Sequence, residues 1–288
     1  MTAGPYGPLL DSVRGVRWPA ARRVSGATLG AHPSRLRGNS SEFSEFRPYR
    51  QGDDPRRVDW RLLARSDRAY VRLTTDRATL RTTIVVDASA SMGFPVPELT
   101  KWVRARELAV ALAAVAHAEA DPVGLTIAAE RPFVITPRAR RSVIVEMIRA
   151  LDAAMPAGAA PLAPLVTAAR APRIVVVTDL LGDLDDLMVA ARLRIATGGE
   201  VIVVHIVAAE ELDPPGDALL AVDPEHPTRR RTLSAGARDA YGRAFAAWMD
   251  ATASALRAAR IGYFRAETSE PAAHVVRRVA GEAGVRGR

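Results

Sequence analysis

Asp87-Ala88-Ser89-Ala90-Ser91 places a carboxylate and two hydroxyls at alternate positions directly after an apolar run, Thr83-Ile84-Val85-Val86. Alternate side chains can converge on one point. These are hard oxygen donors of the kind magnesium accepts while keeping several waters. Asp179 follows a second such run, Ile174-Val175-Val176-Val177, after Thr178. If the two runs are neighbouring strands, Asp87 and Asp179 flank one crevice, and two carboxylates in a crevice favour a divalent cation. The same residue types also build turns and helix caps, so the short pattern alone permits a purely structural use.

Other chemistries find less support. A phosphoryl-accepting Asp87, as in haloacid-dehalogenase phosphatases, needs a second aspartate two residues on as general acid, and Ser89 holds that place. The Gly-x-Ser-x-Gly elbow of serine hydrolases is absent. Lys101 is the only lysine and sits in Thr100-Lys101-Trp102, which excludes a Walker A phosphate loop. With no cysteine, thiolate nucleophiles, disulfides and cysteine-held metals are all excluded. His32, His117, His205, His226 and His274 show no metal-ligand spacing. His205, inside an apolar run, reads as a hydrogen-bonded core residue, and the chain as a whole reads as non-enzymatic.

The elements that must position Asp87 and Asp179 are legible from hydrophobic period. Three β-branched runs, at 83–86, 174–177 and 201–207, suit strands buried on both faces of a parallel sheet. Helical stripes lie between them, at Glu98 to Ala120, Arg141 to Ala153, Pro161 to Arg170 and Asp183 to Ala196. Strand and helix alternate, which predicts an α/β fold with a mostly parallel central sheet and helices on both faces. Val123 to Ile135 reads as a hairpin supplying an antiparallel edge strand. A long helix from Gly236 to Arg260, with Tyr241, Phe245, Trp248 and Thr252 as a core stripe, precedes a strand at 261–265 and a helix at 271–280.

Lys plus Arg is 40 against 32 Asp plus Glu, a formal charge of +8, in a chain of 288 residues. All the basic residues but Lys101 are arginine in an alanine-rich chain, the mark of a GC-rich genome, so the charge says little about partners. Arg229-Arg230-Arg231 and Arg14 to Arg37 could touch phosphates, but no recognition helix or base-stacking set accompanies them, and nucleic acid is not expected as a partner. No apolar stretch reaches bilayer length and no signal-type segment opens the chain, giving the expectation of a soluble, cytoplasmic protein. Residues 1–29 read as a basic arm, 30–80 as a charged and aromatic segment packed on the main domain, and 81–288 as that domain. Asp54 and Pro55 read as N-cap and first residue of a helix running to Arg65.

The Asp-x-Ser-x-Ser pattern after a buried strand resembles the metal-ion-dependent adhesion site of von Willebrand factor type A domains. That resemblance implies a Rossmann-like type A fold, direct magnesium ligation by Ser89 and Ser91, and water-linked ligation by Asp87 and Asp179. The family's ligand threonine, commonly in Gly-Gly-Thr-Asp-Leu, corresponds to Ala160 in Gly158-Ala159-Ala160-Pro161-Leu162, leaving the site partly degenerate. Upstream stand Gly30-Ala31-His32-Pro33-Ser34, Gly38, Glu42-Phe43, Arg47-Pro48-Tyr49, Gly52-Asp53-Asp54-Pro55-Arg56-Arg57-Val58-Asp59-Trp60 and Ala64-Arg65. Their order and spacing closely resemble the signature of the bacterial domain of unknown function 58 family, and Asp223-Pro224-Glu225 fits it too. The family resemblance implies a protein-interaction module beside a MoxR-type AAA+ ATPase, acting on an unknown client in a chaperone-like or assembly system.

Physically, Glu42, Arg47, Asp53, Asp54, Arg56, Asp59 and Arg65 can form a paired-charge network around Tyr49 and Trp60 that locks the segment onto the sheet. The same residues can instead be the contact face of a metal-independent adaptor. A basic nucleic-acid binder is the third class of reading.

Overall fold

The structure is a computed structural model describing residues 4–20, 29–33, 43–51, 53, 55–66, 68–74, 77–215, 220–222, 228, 230–232 and 234–285. Its centre is a six-stranded sheet. The strands are β1 (Thr82–Asp87), β2 (Val123–Ala128), β3 (Phe133–Arg138), β4 (Arg173–Thr178), β5 (Glu200–Val207) and β6 (Gly262–Glu267). Their spatial order is β3-β2-β1-β4-β5-β6, parallel throughout except for β3, which pairs antiparallel to β2 as the sequence hairpin predicts. This 3-2-1-4-5-6 order is Rossmann-like, and it reverses direction between β1 and β4.

Strand alternation divides the core between two faces. Ile84, Val86, Leu125, Val175, Val177 and Val204 point to one face. They meet α1 (Thr100–Ala118), α2 (Val143–Ala153) and α6 (Ala272–Val285). Val85, Ile174, Val176, Val201 and Val203 point to the other, against α3 (Leu162–Ala168), α4 (Leu184–Ala196) and α5 (Ala235–Ala258). Both faces are covered, which is why β1, β4 and β5 read as continuous apolar runs rather than alternating ones. The helices lie within a few residues of their predicted spans, with Asp183 capping α4 through Asp186 N.

Three expectations need correction. Within residues 4–20, expected as an arm, a helix at Gly7–Ser12 forms, and Tyr6, Val13 and Trp18 are buried in the main core. Arg173 fixes this lead-in: its guanidinium lies over the Trp18 ring at 4.4 Å, donates to Pro19 O at 2.8 Å and pairs with Glu200 at 3.1 Å. On α5, Met249, Thr252, Ala253 and Leu256 are buried and Trp248 packs partly buried against that core, while Tyr241 and Phe245 are partly buried and continue from it as a stack with centroids 5.5 and 5.6 Å apart. The predicted helix at 54–65 divides into a 3-10 turn, Pro55–Arg57, and a helix, Trp60–Ser66, whose cap is Asp59. Asp54 itself lies outside the described residues, as do Glu42, Gly38, Gly52 and Asp223 to Glu225.

Candidate adhesion-type site at the sheet edge

Asp87 ends β1 and Thr178 ends β4, with Val86 opposite Val177, so both chains leave the sheet side by side where the strand order reverses. Ligand crevices of open α/β sheets form at that place. Asp87, Ser89, Ser91 and Asp179 are all buried there. Asp87 Oδ1 accepts from Ser89 N at 2.9 Å, and its Oδ2 accepts from Thr178 Oγ1 at 2.6 Å. The Ser89 and Ser91 hydroxyls face each other at 3.1 Å. A short 3-10 turn, Ala90–Gly93, follows with Ser89 as its extended N-cap residue.

The loop carrying Gly158 braces this turn. Ala90 N donates to Gly158 O and Ala157 N to Ala88 O, each at 2.9 Å. Gly158 sits at φ +62°, where a Cβ would also meet Glu130 Oε1 at 2.7 Å, so only glycine fits without strain. Ala160 packs its methyl group against the α3–α5 side of the core and presents no side-chain oxygen.

Burial pushes the Asp87 carboxyl up to about 6, and the Asp179 charge adds to the rise, against the Thr178 and Ser89 hydrogen bonds that oppose it. Asp179 stands otherwise. Its Oδ2 accepts from Lys101 Nζ at 2.9 Å and its Oδ1 from Leu181 N at 3.2 Å. Lys101 also pairs with Glu211 Oε1 at 2.5 Å. Burial would lower this ammonium, but the Asp179 and Glu211 charges outweigh it and hold it above the usual lysine range. On β5, burial pushes His205 down to about 4, and its Nδ1 shares a hydrogen with Tyr263 OH at 2.8 Å, the bonded core role expected for it.

Thr178, Lys101 and Glu211 belong to the site although the sequence reading did not place them in it. Thr178 had a readable signal, being the hydroxyl beside Asp179 at a strand end. Lys101 had another: it is the single lysine among 40 basic residues. Glu211 follows β5, the next strand along, in the short Ala209–Leu212 helix.

The donor set is an incomplete fit to magnesium, which demands six oxygens in near-octahedral geometry. Ser89 and Ser91 make a plausible adjacent pair, but position 160 offers no oxygen and Asp179 is engaged by Lys101 and Leu181 N. Among the described residues no group of three or more His, Asp or Glu side chains could hold a metal ion.

Of the charged segment expected to form a network, Arg47, Asp53, Arg56, Asp59 and Arg65 are described, and Glu42 and Asp54 lie outside the described residues. Phe43–Pro48 and Tyr70–Thr74 form an antiparallel ribbon, with Val58 and Val71 buried. Arg47 pairs with Asp53 at 2.6 Å. The Arg50 N–H and that guanidinium hold Asp53 below the usual carboxylate range. Asp59 caps its helix through Arg61 N and Leu62 N at 3.1 and 2.9 Å. Arg56 and Arg65 lie at the surface. Tyr49 and Trp60 are 38% and 64% exposed.

Comparison with known proteins covers most of the chain. It is 29% identical over 265 residues to "Uncharacterized protein Rv1480" of Mycobacterium tuberculosis, spanning 86% of this chain and 81% of that one. "Uncharacterized protein Mb1516" of Mycobacterium bovis matches equally. Two solved structures are similar at 17% identity, each matching 72% of this chain and 99% of the other. They are the conserved hypothetical protein BatB from Bacteroides thetaiotaomicron, TM-score 0.46, and an aerotolerance-related membrane protein from Bacteroides fragilis, TM-score 0.47. No helix among the described residues is long and apolar enough to cross a membrane. The family model "Protein of unknown function DUF58" matches residues 45–251, a span containing Arg47, Asp59, Trp60, Asp87, Ser89, Ser91, Lys101 and Asp179, and the chain belongs to that family.

Proposed function

We propose that this protein is a non-enzymatic interaction module that docks a MoxR-type AAA+ ATPase at the carboxyl edge of its sheet. The observation that carries the reading is the buried Asp87-Ser89-Ser91 turn beside Asp179 at the β1–β4 switch point. Its chemistry suits recognition better than turnover. The two serines face each other, and the site histidine, His205, is bonded to Tyr263, so no histidine base is engaged with either hydroxyl. Asp87 is held by two hydrogen bonds, and Ser89 stands where a phosphoryl-transfer acid would be needed.

The type A likeness of the fold and the identity of the partner follow from the family resemblance. The ATP chemistry lies on the partner, and the pair serves a client in a chaperone-like or assembly role. Ser89 and Ser91 would hold magnesium weakly and exchangeably, with a carboxylate of the partner as a further ligand when both are present. The exposed Trp60 and Tyr49 favour a second reading, a metal-independent adaptor whose contact face is the charged ribbon.

The test is affinity capture of the tagged full chain from native lysate, in magnesium and in EDTA, with Asp87→Ala beside wild type. An AAA+ ATPase retained by wild type and lost from folded Asp87→Ala is the expected result. Equal retention by both proteins overturns docking at this edge.

A further inference from the structure

Lys101 is 0% exposed, and its ammonium joins carboxylates from two other elements, Asp179 after β4 and Glu211 after β5, to the first turn of α1. All four oxygens of those carboxylates are engaged. Asp179 uses Leu181 N and Lys101; Glu211 uses Lys101 and Ala208 N, the last at 2.8 Å. The Phe94 ring, 5.7 Å from Nζ, covers another side of the ammonium.

The residue type is informative. The chain has 40 basic residues and only this one is lysine. Where it buries an arginine, at position 173, the planar fork meets one carboxylate and two backbone carbonyls. Two carboxylates approaching from different strands call for a compact charge with freely directed donors, which is an ammonium. A metal ion bridging the same carboxylates would do the same electrostatic work, and the two cations exclude each other by like-charge repulsion at short range.

We propose that the Lys101 ammonium is the resident cation of this crevice, claiming Asp179 in place of a divalent metal, so that the site keeps its shape without one. The inference concerns the charge of the site and stands whichever partner docks there. It assigns to Ala160 a reason: with the lysine already supplying positive charge beside Asp179, the site keeps its shape without a threonine to help fix a metal tightly.

The test uses purified full-length protein, Mn2+ binding followed by the electron paramagnetic resonance signal of the free ion, and thermal melting in magnesium or EDTA. Wild type should melt identically in both buffers and bind little Mn2+. Lys101→Met, which keeps length but removes charge, should melt lower in EDTA, regain stability in magnesium and bind Mn2+ at least about tenfold more tightly than wild type. Lys101→Met/Asp179→Asn/Glu211→Gln, neutral at all three positions, should show no such gain. If Lys101→Met is not recovered folded, Lys101→Met/Glu211→Gln, with one buried carboxylate fewer, makes the same comparison. Failure of the folded lysine variant to gain Mn2+ overturns the proposal. So does tight Mn2+ binding by wild type that Asp87→Ala abolishes, since a metal would then occupy the crevice with the lysine in place.

Discussion

Asp87 is held in its charged form at a cost in stability, because burial and the neighbouring Asp179 both oppose its ionisation. Its folded value is raised from 3.8 to about 6. The stabilisation present when the group is protonated in both states, below the unfolded value, is therefore lost as pH rises through the folded one. Linkage puts the loss at roughly 3 kcal/mol between about pH 4 and about pH 7. Asp87→Asn cannot lose it. The stability of Asp87→Asn minus that of wild type, from urea unfolding, should rise by that amount from the acid to the neutral condition. Subtraction removes His205 and the other groups that do not interact with Asp87, while the mutual repulsion of Asp87 and Asp179 is part of the difference read. Parallel pH profiles would show that Asp87 is not strained. A carboxylate whose neutral replacement stabilises the fold at neutral pH is one retained for binding rather than for folding.

At the scale of elements, what could be read from the sequence was whatever repeats with a period. The stripes of α1 and α4 and the β-branched runs of β1, β4 and β5 are local signals, and the structure places those elements where the periods put them. Asp87, Ser89, Ser91 and Asp179 could be brought to one crevice by the same logic, since strand ends in a parallel sheet share an edge. The lead-in offered no period. Tyr6, Val13 and Trp18 are its core residues, spaced without helical or strand register among arginines and prolines, and their partners are remote: Tyr6 bonds Asp152, and Trp18 lies under Arg173, 155 positions beyond it. The partners of Lys101 are illegible for the same reason, standing 78 and more positions away, although its being the single lysine marks the residue itself. The lead-in is accordingly a tertiary element, and Trp18→Ala should destabilise the protein by about 3–5 kcal/mol, the range for deleting a buried aromatic. The fall would be read as a lower urea midpoint at unchanged slope. A loss under about 1 kcal/mol would mean that the lead-in rests on the sheet without supporting it.

Two surfaces among the described residues are candidates to meet a partner, and they differ in kind. The sheet edge is a buried polar crevice whose rim includes Val96 and Leu181, 79% and 46% exposed in the loops after Ser91 and Asp179. The ribbon carries Trp60, with Arg61 and Arg65 exposed on the same short helix. An aromatic beside arginines is an anchor type common in interfaces. Exposure makes the two separable by mutation, because truncating a side chain as open as Trp60 should leave folding within about 0.5 kcal/mol of wild type. If the crevice holds the ATPase, Trp60→Ala retains it from lysate as well as wild type does and Asp87→Ala does not. The opposite pattern, loss with Trp60→Ala or Arg47→Ala and retention with Asp87→Ala, moves the contact to the ribbon and makes the protein a metal-independent adaptor. Salt gives a further readout in the same experiment. With a formal charge of +8, a ribbon contact made by arginines weakens steeply as salt rises, whereas capture through the buried crevice is screened much less.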